Sequence, residues 1–205
     1  YSKQYNKIKT VFDEILQIVE DTNTTIGIHY CWQYMAEAHL YLGEFEKAYS
    51  IAMQCINQEE EITNIHALIS FYKSIAIYQY LIGNINDALK NISKAHSLFI
   101  KKDIGLSGVS VLSIKSYILE NENKIEDNIS VNKELNELVS SRNLNAHLVH
   151  SNELIKIIKK YEQNEKSEKQ TSFNIKHKLQ IENIIKTSQQ ISSILNINEL
   201  LDTII

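Results

Sequence analysis

Three short stretches of this chain align at a fixed step of forty residues. Gly43-Glu44-Phe45-Glu46-Lys47-Ala48 is followed by Gly83-Asn84-Ile85-Asn86-Asp87-Ala88, and that by Asn123-Lys124-Ile125-Glu126-Asp127-Asn128. Asparagine replaces glycine in the third copy, and these are the two residues that best tolerate the left-handed turn ending a helix. A unit repeated at this spacing cannot bury its apolar face alone, so neighbouring units must cover one another.

The register holds on both sides of the turn. Small residues stand seven positions before it, at Ala36, Ala76 and Ser116. Five positions after it come Ala48, Ala88 and Asn128, and twelve positions after it Cys55, Ala95 and Leu135. A small residue lets paired helices approach closely, and the apolar residue after the turn (Phe45, Ile85, Ile125) is expected to plug the pair. Moving back one step places Tyr5, Ile8, Phe12 and Ile15 beneath Phe45, Ala48, Ala52 and Cys55. Residues 3–20 therefore read as the second helix of a repeat whose first helix is missing. Further helices are expected over 26–42, 45–58, 63–82, 85–100, 107–121, 125–141, 144–162 and 173–195, with a short one from about 198. The absence of proline and the presence of only five glycines suit long helices with tight connections.

These residues resemble the tetratricopeptide repeat. Trp32, Met35-Ala36, Gly43, Ala48 and Ala52 follow its pattern in one unit, and Tyr72, Ile75-Ala76, Gly83, Ala88 and Ala95 in the next. The third unit is degenerate, the closing proline is absent, and the forty-residue step exceeds the usual 34. The expected fold is all-α: a tetratricopeptide-like α-α superhelix over 1–162, with repeats at about 29–62, 69–102 and 109–141 and a final helix at 144–162. A polar linker at 163–172 and an extended helix over 173–205 would follow.

The last segment carries a second resemblance. The amphipathic run Ile181, Ile184, Ile185, Ile191, Ile194 and Leu195, followed by Asn196-Ile197-Asn198-Glu199-Leu200-Leu201, is similar to the run-in helix and first helix of a GAF domain in sensor kinases. In those proteins this helix pairs in parallel dimers, so 173–205 is where a homodimer would form. Helical repeats before a GAF start resemble the middle of large signalling proteins that join kinase-like, ATPase, GAF and histidine kinase domains. The N-terminus also reads as cut from a longer chain.

Charge and composition narrow the partners. A net charge of −4 without a basic stripe argues against nucleic acid. The most apolar stretch, Ala67 to Gly83, contains Lys73 and Gln79 and is too short to span a bilayer. No signal peptide is visible, and Cys31 and Cys55 fall on apolar helix faces. They read as buried free thiols of a cytoplasmic protein.

No catalytic constellation emerges, and neither a cofactor nor a metal is expected. Gly105 and Gly108 lack the Lys-Ser/Thr of a phosphate loop and read as a helix start. His147 and His150 are one turn apart, but no third ligand has metal-site spacing. His177, in Asn174-Ile175-Lys176-His177-Lys178-Leu179, lacks the His-Glu-Leu-Arg-type context of a phospho-accepting histidine and reads as a solvated helix residue. Glu59-Glu60-Glu61 reads as solvated, and Trp32 as packing.

What remains is a binding surface. In tetratricopeptide arrays the first helices line a concave groove, and the resemblance maps that groove to Gln33, Glu37, Tyr41, Lys73, Ile77, Tyr80, Ser113 and Tyr117. Tyrosines are dense on these helices, as suits recognition. The implied role is a non-catalytic interaction and relay module of a sensor Ser/Thr or histidine kinase. It would bind a protein, a peptide or a neighbouring domain of the same chain. The alternative is a ligand- or peptide-sensing repeat domain of a regulator, with an enzyme the least supported reading.

Overall fold

The computed structural model describes residues 10, 11, 14, 17, 28–57, 62, 64–102, 105–165 and 167. Every element among them is an α-helix. They are α1 (Ile28–Leu42), α2 (Phe45–Ile56), α3 (Ile65–Leu81), α4 (Ile85–Lys102), α5 (Gly105–Asn121) and α6 (Ile125–Arg142), followed by α7, which starts at residue 145. The six bounded helices end within two residues of the limits expected from sequence. The chain divides into two compact units, 1–159 and 160–205. Residues 160–165 are helical in the second unit, and the part of α7 considered below is 145–159. Of the expected helix 3–20, residues 10, 11, 14 and 17 are helical; Tyr5, Ile8, Phe12 and Ile15 lie outside the described residues. So do Glu59-Glu60-Glu61, His177 and the whole of 173–205.

The forty-residue step is a step in backbone geometry. Gly43, Gly83 and Asn123 all take positive φ, at 76°, 84° and 55°. At each, the amide of that residue donates to the carbonyl three back and the next amide to the carbonyl five back. The bonds are Gly43→Leu40 with Glu44→His39, Gly83→Tyr80 with Asn84→Gln79, and Asn123→Glu120 with Lys124→Leu119. This paired closure satisfies carbonyls that would otherwise be orphaned at the helix end. A fourth left-handed residue, Asn143 at φ 52°, separates α6 from α7, its amide and that of Leu144 both donating to the Val139 carbonyl. At the opposite kind of junction Asn64 caps α3: its Oδ1 accepts from the His66 amide at 3.0 Å, which sets the helix start.

Each helix packs on the next, and the odd-numbered helices also touch one another, α1 on α3 and α3 on α5. The expected small residues sit at these contacts. Ala36, Ala76, Ala48 and Ala88 are fully buried, as are Ala52 and Ala95. Cys55 and Leu135 occupy the equivalent inner position. Leu40, Phe71, Ile77, Ile92, Leu112 and Ile118 fill the space between. A Cβ placed on Gly108 would stand only 2.6 Å from the Phe99 ring, so α4 and α5 cross closely there. Gly108 is thus a packing residue as well as part of a helix start.

One expectation is corrected. Phe45 is buried as a plug after its turn, and Ile85 is half-buried. Ile125, the third in the series, is 68% exposed, with Ile129 one turn on at 65%. The physical reason lies in the third unit's substitutions. Ser116 and Asn128 replace alanines, and the Ser116 hydroxyl donates to Asn128 Oδ1 at 2.8 Å. A polar link occupies the contact that the first two units close with methyl groups.

Candidate functional site: a polar crevice beneath α7

The odd-numbered helices present one shared face, and α7 lies on it. The Tyr41 hydroxyl of α1 donates to the His150 carbonyl of α7 at 3.3 Å. The two rings stack with centroids 4.3 Å apart. A Cβ on Gly43 would meet Ile157 at 3.6 Å. At the far end of the face, the Lys159 ammonium stands 5.3 Å over the Tyr117 ring of α5. Ser151, Leu154 and Ile158 of the helix, and Leu144 just before it, are buried and spaced as one helical face.

Among the described residues, a larger and a smaller crevice border it. The larger, about 390 Å³, lies among α1, α3, α5 and the first turns of α7. Its centre is an ion pair between Glu37 Oε1 and Lys73 Nζ at 2.5 Å, with only 6% of the lysine side chain exposed. Ser70 donates to the same carboxylate oxygen at 2.7 Å, and Lys73 also donates to Ser110 Oγ at 3.2 Å. One carboxylate thus ties α1 to α3, and one ammonium ties α3 to α5. Burial pushes the Glu37 carboxyl up, but the Lys73 charge and the bonds from Lys73 and Ser70 outweigh it. Glu37 therefore stays below the usual carboxylate range. On α7, burial and the Lys73 charge hold the His150 imidazole below the usual histidine range. Glu37 and Glu153 pull it the other way, and His147 adds to the depression. His66 and Ser107 share a 3.0 Å hydrogen bond at the rim, beside the exposed Tyr34 and Leu106. The smaller crevice, about 240 Å³, lies between α5, α6 and α7 and includes Ser113, Tyr117 and Lys159.

The eight residues expected to line a groove are distributed as follows. Gln33, Glu37, Tyr41 and Lys73 meet at the larger crevice, while Ser113 and Tyr117 meet at the smaller. Ile77 and Tyr80 border neither crevice; Tyr80 packs edge-on against Tyr117 with centroids 5.7 Å apart. Tyr41, Lys73, Ile77, Tyr80, Ser113 and Tyr117 are buried, and Gln33 and Glu37 are half-buried. The face is therefore closed along much of its length rather than open to solvent. Sequence reasoning did not place His150 or Ser151 here. The signal was available in the four-residue spacing of Leu144, Leu148 and the Leu154–Ile158 pair, which marks α7 as a helix with one buried side.

A second polar cluster lies between α4, α5 and α6. Lys115 Nζ is 3.1 Å from His96 Nδ1, and His96 Nε2 is 2.9 Å from Glu134 Oε1. They border a cavity of about 320 Å³ together with Lys124 and Asp127. Burial pushes the Lys115 ammonium below the usual lysine range, against the opposing pull of Glu134 and Asp127. The two thiols are unpaired. Burial raises Cys55 to about 11 and lifts Cys31 as well.

Among the described residues no group of three or more His, Cys, Asp or Glu side chains is arranged to hold a metal ion. No described helix is long and apolar enough to cross a membrane. Compared with known protein families and with curated proteins, the chain matches none.

Proposed function

We propose that residues 1–159 are a tetratricopeptide-like superhelical repeat acting as a non-catalytic interaction and relay module, with α7 resting on the face that receives a partner. The reading is supported by the repeated left-handed closure at Gly43, Gly83 and Asn123 together with direct packing of α1, α3 and α5. That combination makes a continuous surface from equivalent helices. α7 is a helix already seated on it, so a partner segment, or a neighbouring domain of the same chain, would compete for its place. The parent protein, on the resemblance of the C-terminal run, is a cytoplasmic sensor kinase of Ser/Thr or histidine type.

A competition experiment tests this. Leu154→Asp with Ile158→Asp removes the two most buried apolar contacts of α7. A fluorescent peptide of residues 145–162 should bind this variant saturably and the unaltered protein far more weakly. Equal, negligible binding to both, with helical content retained, would count against a helix-receiving face.

The mixed Glu37–Lys73 crevice favours a second reading, a sensor for a small polar ligand or peptide. It differs in its consequence. A ligand seated between α1 and α7 would hold α7 down, whereas a helical partner would displace it. Hydrogen exchange of 145–159 moves in opposite directions in the two cases.

A further inference from the structure

The cluster at α4, α5 and α6 is not needed for the face beneath α7, yet its order of groups is chemically specific. A primary amine, Lys115 Nζ, touches a ring nitrogen of His96, and the opposite ring nitrogen touches the Glu134 carboxylate. An ammonium can only donate, so against charged Lys115 Nδ1 of His96 accepts and Nε2 carries the hydrogen that Glu134 receives. Nucleophile, base and orienting acid thus stand in one line across three helices. The His96 side chain is 14% exposed and Glu134 37%. The imidazole is held from its other side by the Phe99 ring, stacked at 5.7 Å. The line borders a cavity of about 320 Å³, ample for a two-carbon acyl group.

We propose that Lys115 is a covalent acceptor site for small activated acyl groups, with His96 taking the proton and Glu134 fixing the imidazole.

The step balances without any oxidant or metal. The Lys115 nitrogen lone pair attacks the acyl carbon of an acyl phosphate, forming the C–N bond. The C–O bond to phosphate breaks, and inorganic phosphate leaves with the electron pair. The surplus proton on nitrogen passes to His96 Nδ1 and from there to solvent. The product is an uncharged amide on Lys115.

Two properties of the site favour this lysine over the others. Its own burial weakens the charged form, which raises the fraction of free amine at neutral pH. The groups that face it work in both directions: Glu134 and Asp127 of α6 favour the charge, while Lys124 borders the same cavity. Exposed lysines such as Lys90 and Lys101 on α4 have no base positioned against them in the described structure.

Acylation would also have a structural result. Lys115 is the cation that touches His96 of α4 and feels the charges of Glu134 and Asp127 of α6. Converting it to an amide removes that charge and leaves the two acids of α6 without the cation that offsets them at this cavity. The third helix pair would loosen while the crevice beneath α7 kept its own ion pair. This inference does not depend on the function proposed above.

The test uses the whole chain and acetyl phosphate as the probe. Site-resolved peptide mass spectrometry at neutral pH compares Lys115 with Lys90 and Lys101 in the same tube. Lys115 is expected to acetylate about tenfold faster than either. Its rate should level off below the ordinary lysine range. His96→Gln should bring Lys115 down to the rate of Lys90 without changing Lys90, and Glu134→Gln should produce a smaller drop. The proposal is overturned if Lys115 in the unaltered protein reacts no faster than the exposed lysines, a result that needs no variant to fold. It is equally overturned if His96→Gln and Glu134→Gln, both retaining full helical content, leave the Lys115-to-Lys90 ratio unchanged.

Discussion

The imidazole of His150 lies against the phenol ring of Tyr41, centroids 4.3 Å apart and planes 23° from parallel. The two residues are 109 positions apart in the chain, and the Tyr41 hydroxyl additionally donates to the His150 carbonyl. This is the point at which α7 is tied to α1. Because burial and the Lys73 charge disfavour the imidazolium, the stack is built for the neutral ring.

The sign of its pH dependence follows. A folded-state value below the unfolded one, about 6.5 for histidine, means the unfolded chain binds more protons in that window. Stability then rises as pH climbs through it, and docking weakens as pH falls below about 6.5. Amide exchange of 145–159 should accelerate relative to α3 and α4 on acidification. His150→Phe should keep the stack and flatten that response; an unchanged response in this variant would show that another group carries it.

Glu37 gives a second, more acidic transition. Its folded value is depressed, so its contribution is present above the ordinary carboxylate range, about 4.3. It is lost as pH falls through the folded value. The stability gap between the unaltered protein and Glu37→Gln, read from urea midpoints, should be full at pH 7 and close on acidification. Lys73→Met should cost about 2–4 kcal/mol, because it strands a half-buried carboxylate. The double change Glu37→Leu with Lys73→Met should cost less than Lys73→Met alone.

The left-handed positions separate conformational strain from crowding. A Cβ on Gly83 would meet nothing within 4 Å, yet φ is 84°. Gly83→Ala should therefore destabilise by about 1 kcal/mol through the backbone alone. Asn123→Gly should gain about 0.5 kcal/mol at the equivalent turn. Thermal midpoints moving in the same direction for both would refute this account.

Gly108→Ala tests crowding without positive φ. The new methyl would stand 2.6–2.8 Å from the Phe99 ring, and the cost of overpacking is about 1–3 kcal/mol. Phe99→Leu in the same background should return part of that loss. A cost in the double variant equal to the sum of the single costs would mean the two residues are not in conflict.

Much of the helical framework was legible because turn chemistry and small residues both repeat. Gly43, Gly83 and Asn123 mark helix ends by what their backbones must do, and Ala36, Ala76, Ala48 and Ala88 mark close approach. The third plug was misread because periodicity reports equivalence of position, not of neighbours. Ile125 occupies the place of Phe45 without a surface to cover it. Of the larger crevice, Gln33, Glu37, Tyr41 and Lys73 were legible singly, but neither His150 nor the assembly was. Glu37 and Lys73 were mapped separately to a groove by the resemblance. Their partnership depends on which turn of α1 faces which turn of α3, and one sequence does not encode that explicitly. The seating of α7 was hidden for a related reason. An apolar stripe tells that a helix is covered, not by what, and the contact to Tyr41 spans most of the repeat region.

That span bears on how the chain comes to its final form. Hairpins closed by Gly43, Gly83 and Asn123 join residues near in sequence and can zip up independently and early. Seating 145–159 against Tyr41 closes a loop of more than a hundred residues, and it gains contacts only after α1, α3 and α5 are already side by side. During synthesis on the ribosome the face beneath α7 is therefore bare until residue 159 has emerged, and for that interval any nascent or neighbouring amphipathic segment has first access to it.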